Sequence, residues 1–311
     1  MSEAAGSLPV GDPAGSRFSS GLAERLLGDA CRAVGLASGG ARMIRLGENA
    51  IFALAGAPVV ARVARGDGRR AVAEKEVAVS RWLEAAGVPA ARAVRGIQQP
   101  VMVGDHPVTF WELIETTGPE PTYDDLGRLL RRVHELPKPT EFELPPQRPL
   151  DRTRDRIEAA VGLSDGDREF LLGREADLRG RLAGLVFPTR PSPVHGDAHI
   201  ENLMRERDGG IRLIDFEGFA FGQREWDLAV SGVEYLSARW VTDEQYRQFV
   251  DGYGTDITAW SGFEVLRDVQ ELNMTTWLSQ NVHEGPHVAE EFERRLRSLR
   301  DDTSRRVWRP F

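Results

Sequence analysis

The densest run of residues able to do chemistry is His195-Gly196-Asp197-Ala198-His199-Ile200-Glu201-Asn202, followed after a short apolar stretch by Asp215-Phe216-Glu217. Phosphoryl transfer needs a carboxylate to accept a proton from an attacking hydroxyl, and oxygen ligands for magnesium. Asp197 fits the base, Asn202 a neutral oxygen ligand, and Asp215 an anionic one. Short strands predicted around 202–204 and 211–214, joined by a turn at Asp208-Gly209-Gly210, would make a hairpin that brings Asn202 and Asp215 to one spot. Any one of these residues alone would read as a cap or a turn; the joint pattern asks for more. Zinc is the rival, with His195 and His199 four apart and Glu201 close. HExxH is absent, however, and Gly196 beside Asp197 argues against a helix that would align the two histidines.

These residues need a frame. Leu22, Leu26, Ala30 and Val34 predict a helix over 22–35. Strands follow at 42–46, 51–54 and 59–63, then a helix over 71–86, then strands at 100–103 and 108–114. Gly118-Pro119 breaks the chain. Beyond it the chain reads mostly helical: 124–134, one or two helices in 151–185, then 226–238, 243–253, 263–281 and 287–299, with a Pro-rich loop at 137–149. Strands segregated from helices give an α+β fold class rather than an alternating parallel sheet. The domains expected are a flexible tail over 1–20, a β-rich domain over 21–117 and a helical one over 118–311.

With 311 residues, 41% hydrophobic and 28% charged, the chain can bury the cores of about two domains. No apolar run reaches membrane-spanning length, and the first twenty residues lack the basic start and apolar stretch of a secretory signal, so no membrane partner and a cytoplasmic location are expected. The lone Cys31 rules out an intramolecular disulfide and a cysteine-rich zinc module. A net charge of −8 gives no basic footprint for nucleic acid. The balance is uneven: residues 1–113 carry 13 basic and 11 acidic residues, and residues 114–311 carry 27 and 37. The second part would suit a cationic partner, and Glu264, Asp268 and Glu271, on one face of a predicted helix, could concentrate amines.

His195-Gly196-Asp197 with Asn202, then Ile214-Asp215-Phe216-Glu217 and Asp227-Leu228-Ala229, resembles the aminoglycoside phosphotransferase and choline kinase superfamily of small-molecule kinases. The likeness covers about residues 40–235 by motif order, and the HGDxxxxN pattern is complete. It implies a protein-kinase-like two-lobed fold, with a small β-rich N-lobe that binds ATP or GTP and a larger, mostly helical catalytic C-lobe. It implies Asp197 as the base, Asn202 and Asp215 as Mg2+ ligands, His195 ordering the loop, and Asp227 tying that loop to its helix or capping the helix. Gly47 and Asn49, between two strands, fall where kinases cover phosphates. The strand lysine of kinases is missing: of the two lysines, Lys75 falls in the helix and Lys138 far away. Arg62 takes the strand position, and Glu76 matches the helix glutamate ahead of Glu74. Glu112 and Ile114 lie in the expected adenine hinge, and Arg224 sits where a basic residue nears substrate or phosphate. The substrate implied is a small molecule with a free hydroxyl, an antibiotic or a related metabolite such as choline, an amino sugar or a nucleoside. The chain would act as a monomer or homodimer. Trp277 is a candidate for lining the acceptor pocket. His106, His134, His283 and His287 have no partner legible in the sequence.

Overall fold

A computed structural model describes residues 18–47, 49–66, 68–116, 118–282, 285–301 and 308–310. The described chain divides into two compact units: the chain up to Ala73 together with Val94–Leu113, and Glu74–Ala93 together with Ile114 onward. Of the expected tail, residues 1–17 lie outside the described residues, as do Glu48 and His283.

In the first unit, helix α1 (Ser20–Ala33) starts at a serine cap, with Leu22 N donating to Ser19 Oγ (3.3 Å). Five antiparallel strands follow: β1 (Arg42–Leu46), β2 (Asn49–Ala53), β3 (Val59–Ala64), β4 (Val101–Val103) and β5 (His106–Glu112), in the spatial order β1-β2-β3-β5-β4. Alternation along β2 and β3 buries Ala50, Phe52, Ala61 and Val63, and α1 covers them with Leu26, Leu27 and Ala30.

Helix α2 (Arg70–Ala85) begins in the first unit and leaves it after Ala73. The expected boundary at Gly118-Pro119 places all of this helix with the strands; the chain's own grouping carries Glu74–Ala93 with the helical unit. The physical tie is backbone pairing: Ala91 N donates to Leu213 O (2.8 Å) and Leu213 N to Pro89 O (3.1 Å).

The rest of the second unit is helical around two small sheets. Helix α3 (Tyr123–His134) opens with a capping box between Thr122 and Asp125 and closes with Arg131, Arg132 and His134 in its last turn. Helices α4 (Asp151–Ala159) and α5 (Asp165–Ala183) divide the stretch read as one or two helices, with Gly162 at φ +88 and Ser164 capping the second. Strands β6 (Ser192–Val194) and β9 (Ala220–Gly222) pair, and β7 (Leu203–Arg205) with β8 (Ile211–Leu213) forms the expected hairpin. Helix α6 (Glu225–Val233) runs into a π-helical turn, Glu234–Ala238, where the sequence predicts one continuous helix. Helices α7 (Asp243–Tyr253), α8 (Phe263–Ser279) and α9 (Pro286–Arg300) complete the unit. The α3–α7 crossing is set by glycine: a Cβ at Gly127 would stand 2.5 Å from the Phe249 carbonyl, and one at Gly252 2.6 Å from that of Asp124. Among the described residues no helix is long and apolar enough to cross a membrane.

Candidate active site

The loop between β6 and β7 carries His195, Asp197 and Asn202, and one buried carboxylate pins its start. Asp227, fully buried in the first turn of α6, accepts from His195 N through Oδ2 (2.7 Å) and from Gly196 N through Oδ1 (2.8 Å). Asp227 is therefore no helix cap; its oxygens are spent on the loop. His134 holds Asp227 in turn, donating through Nε2 to Oδ2 (2.9 Å) while Nδ1 meets the Tyr253 hydroxyl (2.9 Å). His195 Nε2 donates to the Ile214 carbonyl (2.9 Å), joining the loop to the end of the hairpin that carries Asp215.

The two loops also touch backbone to backbone. Gly196 has φ +86, and a Cβ there would lie 2.2 Å from the Gly218 carbonyl oxygen. A Cβ on Gly218 would lie 2.7 Å from that of His195. Only glycine at both positions permits this approach.

Asp197, its side chain 61% exposed, extends from this braced loop. Partial desolvation pushes its carboxyl up, but the His199 hydrogen bond and the charges of His199 and His195 outweigh it, with Asn202 adding to them. The net result is a carboxyl below the usual aspartate range. His199 Nε2 lies 3.4 Å from Asp197 Oδ2, and against its desolvation this partner raises the His199 pKa. Asn202 Nδ2 donates to the Asp197 carbonyl (2.8 Å), and Ile214 N donates to the Asn202 carbonyl (2.9 Å). Asn202 Oδ1 accepts no hydrogen bond among the described residues. Asp215, exposed and at φ 61, uses Oδ1 for a long contact with Glu217 N (3.3 Å). The oxygens left over are hard donors from one amide and one carboxylate, a set that suits Mg2+ held also by phosphate and water. Among the described residues no group of three or more His, Cys, Asp or Glu side chains is placed to hold a metal, so His195, His199 and Glu201 do not make the zinc alternative.

Other expected site residues fall as follows. Gly47 N donates to the Asn49 carbonyl (3.0 Å), closing the β1–β2 turn. The Asn49 amide, oriented with its oxygen toward β3, accepts from Arg62 Nε (3.1 Å) and Nη2 (2.8 Å). Arg62 belongs to the first unit and the buried Glu76 to the second. Glu112 ends β5 opposite Val59; β4 flanks only the other end of that strand, and Ile114 follows just outside it. Arg224 directs Nη2 to the His134 carbonyl (3.2 Å) and bonds none of Asp197, Asn202 and Asp215 among the described residues. Trp277 is 41% exposed on α8.

The acidic face expected on α8 is not a free one. Asp268 is buried under Arg174 (3.1 Å), Arg181 (3.0 Å) and Arg267 (3.2 Å), and Glu271 is fully buried with Arg267 Nε 3.9 Å away. The Asp268 charge is balanced within the unit, and Glu264 is exposed.

Three residues escape the sequence reading. His134 was visible only as a histidine at a helix end. His199 stands in the sequence only as a candidate zinc ligand. Glu234 stands in the π-helical turn, buried, with the Tyr123 hydroxyl at 3.4 Å. Desolvation pushes its carboxyl up to about 7, with the His199 charge and the Tyr123 hydrogen bond pulling the other way and the Asp197 and Glu201 charges adding to the rise. A carboxyl whose folded-state pKa exceeds its unfolded value holds its proton longer when folded. Its contribution is therefore present at low pH and is lost as pH rises to about 7. Glu234→Gln should raise Tm at pH 8 by several degrees, a deficit of roughly 3 kcal/mol being relieved, and change it little at pH 5. Calorimetry at the two pH values checks this; an equal shift at both would remove the buried-carboxyl account.

Residues 46–268 match the phosphotransferase enzyme family. Among solved structures, an amicoumacin kinase in complex with AMP-PNP, Ca2+ and Ami is 14% identical, with a TM-score of 0.67 over 86% of this chain and 90% of that one. A microcompartment-associated aminopropanol kinase is 18% identical, with a TM-score of 0.67 over 90% and 95%. The choline kinase of Streptococcus pneumoniae is 16% identical, with a TM-score of 0.64 over 89% and 98%. No curated protein matches the sequence. At these identities the likeness is one of fold, the kinase-like α+β fold expected from the motifs. The family match takes in most of the chain and the whole run from Gly47 to Asp227, and on that ground the protein belongs to the phosphotransferase enzyme family.

Proposed function

We propose that the protein transfers the γ-phosphoryl group of ATP or GTP to a hydroxyl of a small molecule, an antibiotic or a related metabolite. The observation that carries this is the exposed Asp197 carboxylate on a loop whose backbone is fixed by Asp227 and by the Gly196–Gly218 contact. Asp197 accepts a hydrogen bond from the acceptor hydroxyl, orients its oxygen, and takes the proton as the bond to phosphorus forms. A carboxylate below the usual pKa range is a weak base, which fits a loose transition state in which the proton moves late. Asn202 and Asp215 hold Mg2+, which supplies positive charge for the phosphate oxygens. In the first unit the β1–β2 turn at Gly47, the Asn49–Arg62 pair and the β5 end at Glu112 serve the nucleotide. Arg62, fixed by Asn49, offers the phosphates a permanent charge and a planar fork. Arg224 braces α3 through the His134 carbonyl. Glu201, on the loop that carries Asp197, and Glu234 once it loses its proton give the acceptor side a negative potential that favours an amine-bearing alcohol.

The test is nucleotide consumption, with ATP and with GTP, across a panel of hydroxyl-bearing antibiotics, amino alcohols, amino sugars and nucleosides, the product confirmed by its added mass. At least one amine-bearing alcohol is expected to be phosphorylated in a Mg2+-dependent reaction. Nucleotide binding with no transfer across the panel would favour a catalytically silent nucleotide-binding module.

A further inference from the structure

The chain has two lysines, and one of them sits inside the second unit's backbone. Lys75, early in α2, donates to the Glu217 carbonyl (2.6 Å) and to the Phe219 carbonyl (2.9 Å). These carbonyls flank Gly218, on the loop that leaves Asp215. The segment after α2 reaches the same chain from the other side, through the paired backbones of Pro89, Ala91 and Leu213. Helix α2 and its trailing segment thus fix the chain two residues before Asp215 and again two and four residues after it.

Asp215 has reason to need this. Its φ of 61 lies in the left-handed region, which non-glycine residues adopt rarely and keep only where the surroundings over-determine it. Its own side-chain contact to Glu217 N, at 3.3 Å, is a weak brace. The Arg152–Glu217 ion pair is a poor substitute, because Arg152 is 65% exposed and such pairs contribute little. A compact ammonium carries three donors and can serve two carbonyls at once. A guanidinium is larger and planar and does not reproduce that geometry.

We propose that Lys75 is a positioning residue for Asp215, holding the 215–219 loop in the conformation in which the Asp215 carboxylate meets a divalent cation. The cation half of this rests on the function proposed above; the loop half does not. Lys75 touches no substrate in this role.

The experiment compares wild type with Lys75→Met, Lys75→Gln and Lys75→Arg, with Asp215→Asn setting the scale of a lost ligand. The milder Lys75→Gln, whose amide can still serve one carbonyl, answers if Lys75→Met does not fold. Hydrogen–deuterium exchange is followed over residues 213–220, with α7 as the internal reference. Mn2+ affinity is measured by electron paramagnetic resonance with a non-hydrolysable ATP analogue present. Lys75→Met should speed exchange over 213–220 by about tenfold with α7 unchanged. It should weaken Mn2+ by about 10–100-fold, the range for a lost outer partner of a ligand, while metal-free nucleotide affinity stays put. Lys75→Arg should recover only part of both. Unchanged exchange in Lys75→Met overturns the proposal, and so does faster exchange with wild-type Mn2+ affinity. A wild type that binds no Mn2+ with the nucleotide overturns the metal role of Asp215 and the function reading with it. The exchange arm then still decides whether Lys75 holds the loop.

Discussion

Asp197→Ala is expected to lower kcat by about 10²–10⁴ while leaving nucleotide affinity within about twofold. Most of the Asp197 side chain faces outward, and its contacts are to His199 and Asn202, so removing it leaves no buried group stranded. The loop backbone is held by Asp227 at His195 and Gly196, the two residues before it, and should keep its course. The loss is therefore chemical: no group remains to orient the acceptor hydroxyl and take its proton. Turnover by positioning and charge should survive at a low level. Asp197→Asn is the companion variant, because it keeps the shape and removes the base. The wild-type carboxyl lies below the usual aspartate range, so the acid limb of its kcat profile should fall off below that range rather than near neutrality. Steady-state rates on the acceptor found by screening, with calorimetry on an ATP analogue, check this. An Asp197→Ala enzyme within threefold of wild type in kcat would sink the assignment.

What the sequence made legible depended on the range of the physics involved. Helix α3 announced itself through Leu126, Leu129, Leu130 and Val133 at helical spacing, and the hairpin through Gly209 and Gly210, because local periodicity and turn chemistry act over a few residues. Strands β6 and β9 have three residues each and pair across 25 intervening positions, so no local pattern marks them. The Pro-rich stretch read as a plain loop in fact pairs Gln147 N and the Pro145 carbonyl with Phe221. The HGD run was visible as chemistry, but the reason for its glycine was not, since Gly218 approaches it only in three dimensions. The α8 acids show the reverse failure. Glu264, Asp268 and Glu271 do share a helix face, yet net charge and spacing could not tell that arginines on α5 and α8 already neutralise Asp268.

Asp227→Ala should be the most destabilising single change near the site, costing about 3–5 kcal/mol and lowering Tm by roughly 10 °C. Asp227 is fully buried and accepts three hydrogen bonds, from His195 N, Gly196 N and His134 Nε2. Alanine leaves all three donors without an acceptor in a place water does not reach, and each such buried group costs about 1–3 kcal/mol. Relaxation is blocked on one side, because Gly196 is already pressed against Gly218. Asp227→Asn should cost less, since its one oxygen still accepts, but its amide nitrogen then faces a donor. His134→Ala should cost less again, because the two loop amides keep their carboxylate. The activity readout separates this role from plain stability. Well below the transition, folded Asp227→Ala should still lose at least tenfold in kcat, because the residue after Gly196 is Asp197, and a base displaced by about 1 Å can cost about a hundredfold. A Tm within 2 °C of wild type would mean the carboxylate does not carry the loop. A large Tm loss with wild-type kcat at low temperature would mean that it holds the fold but not the base.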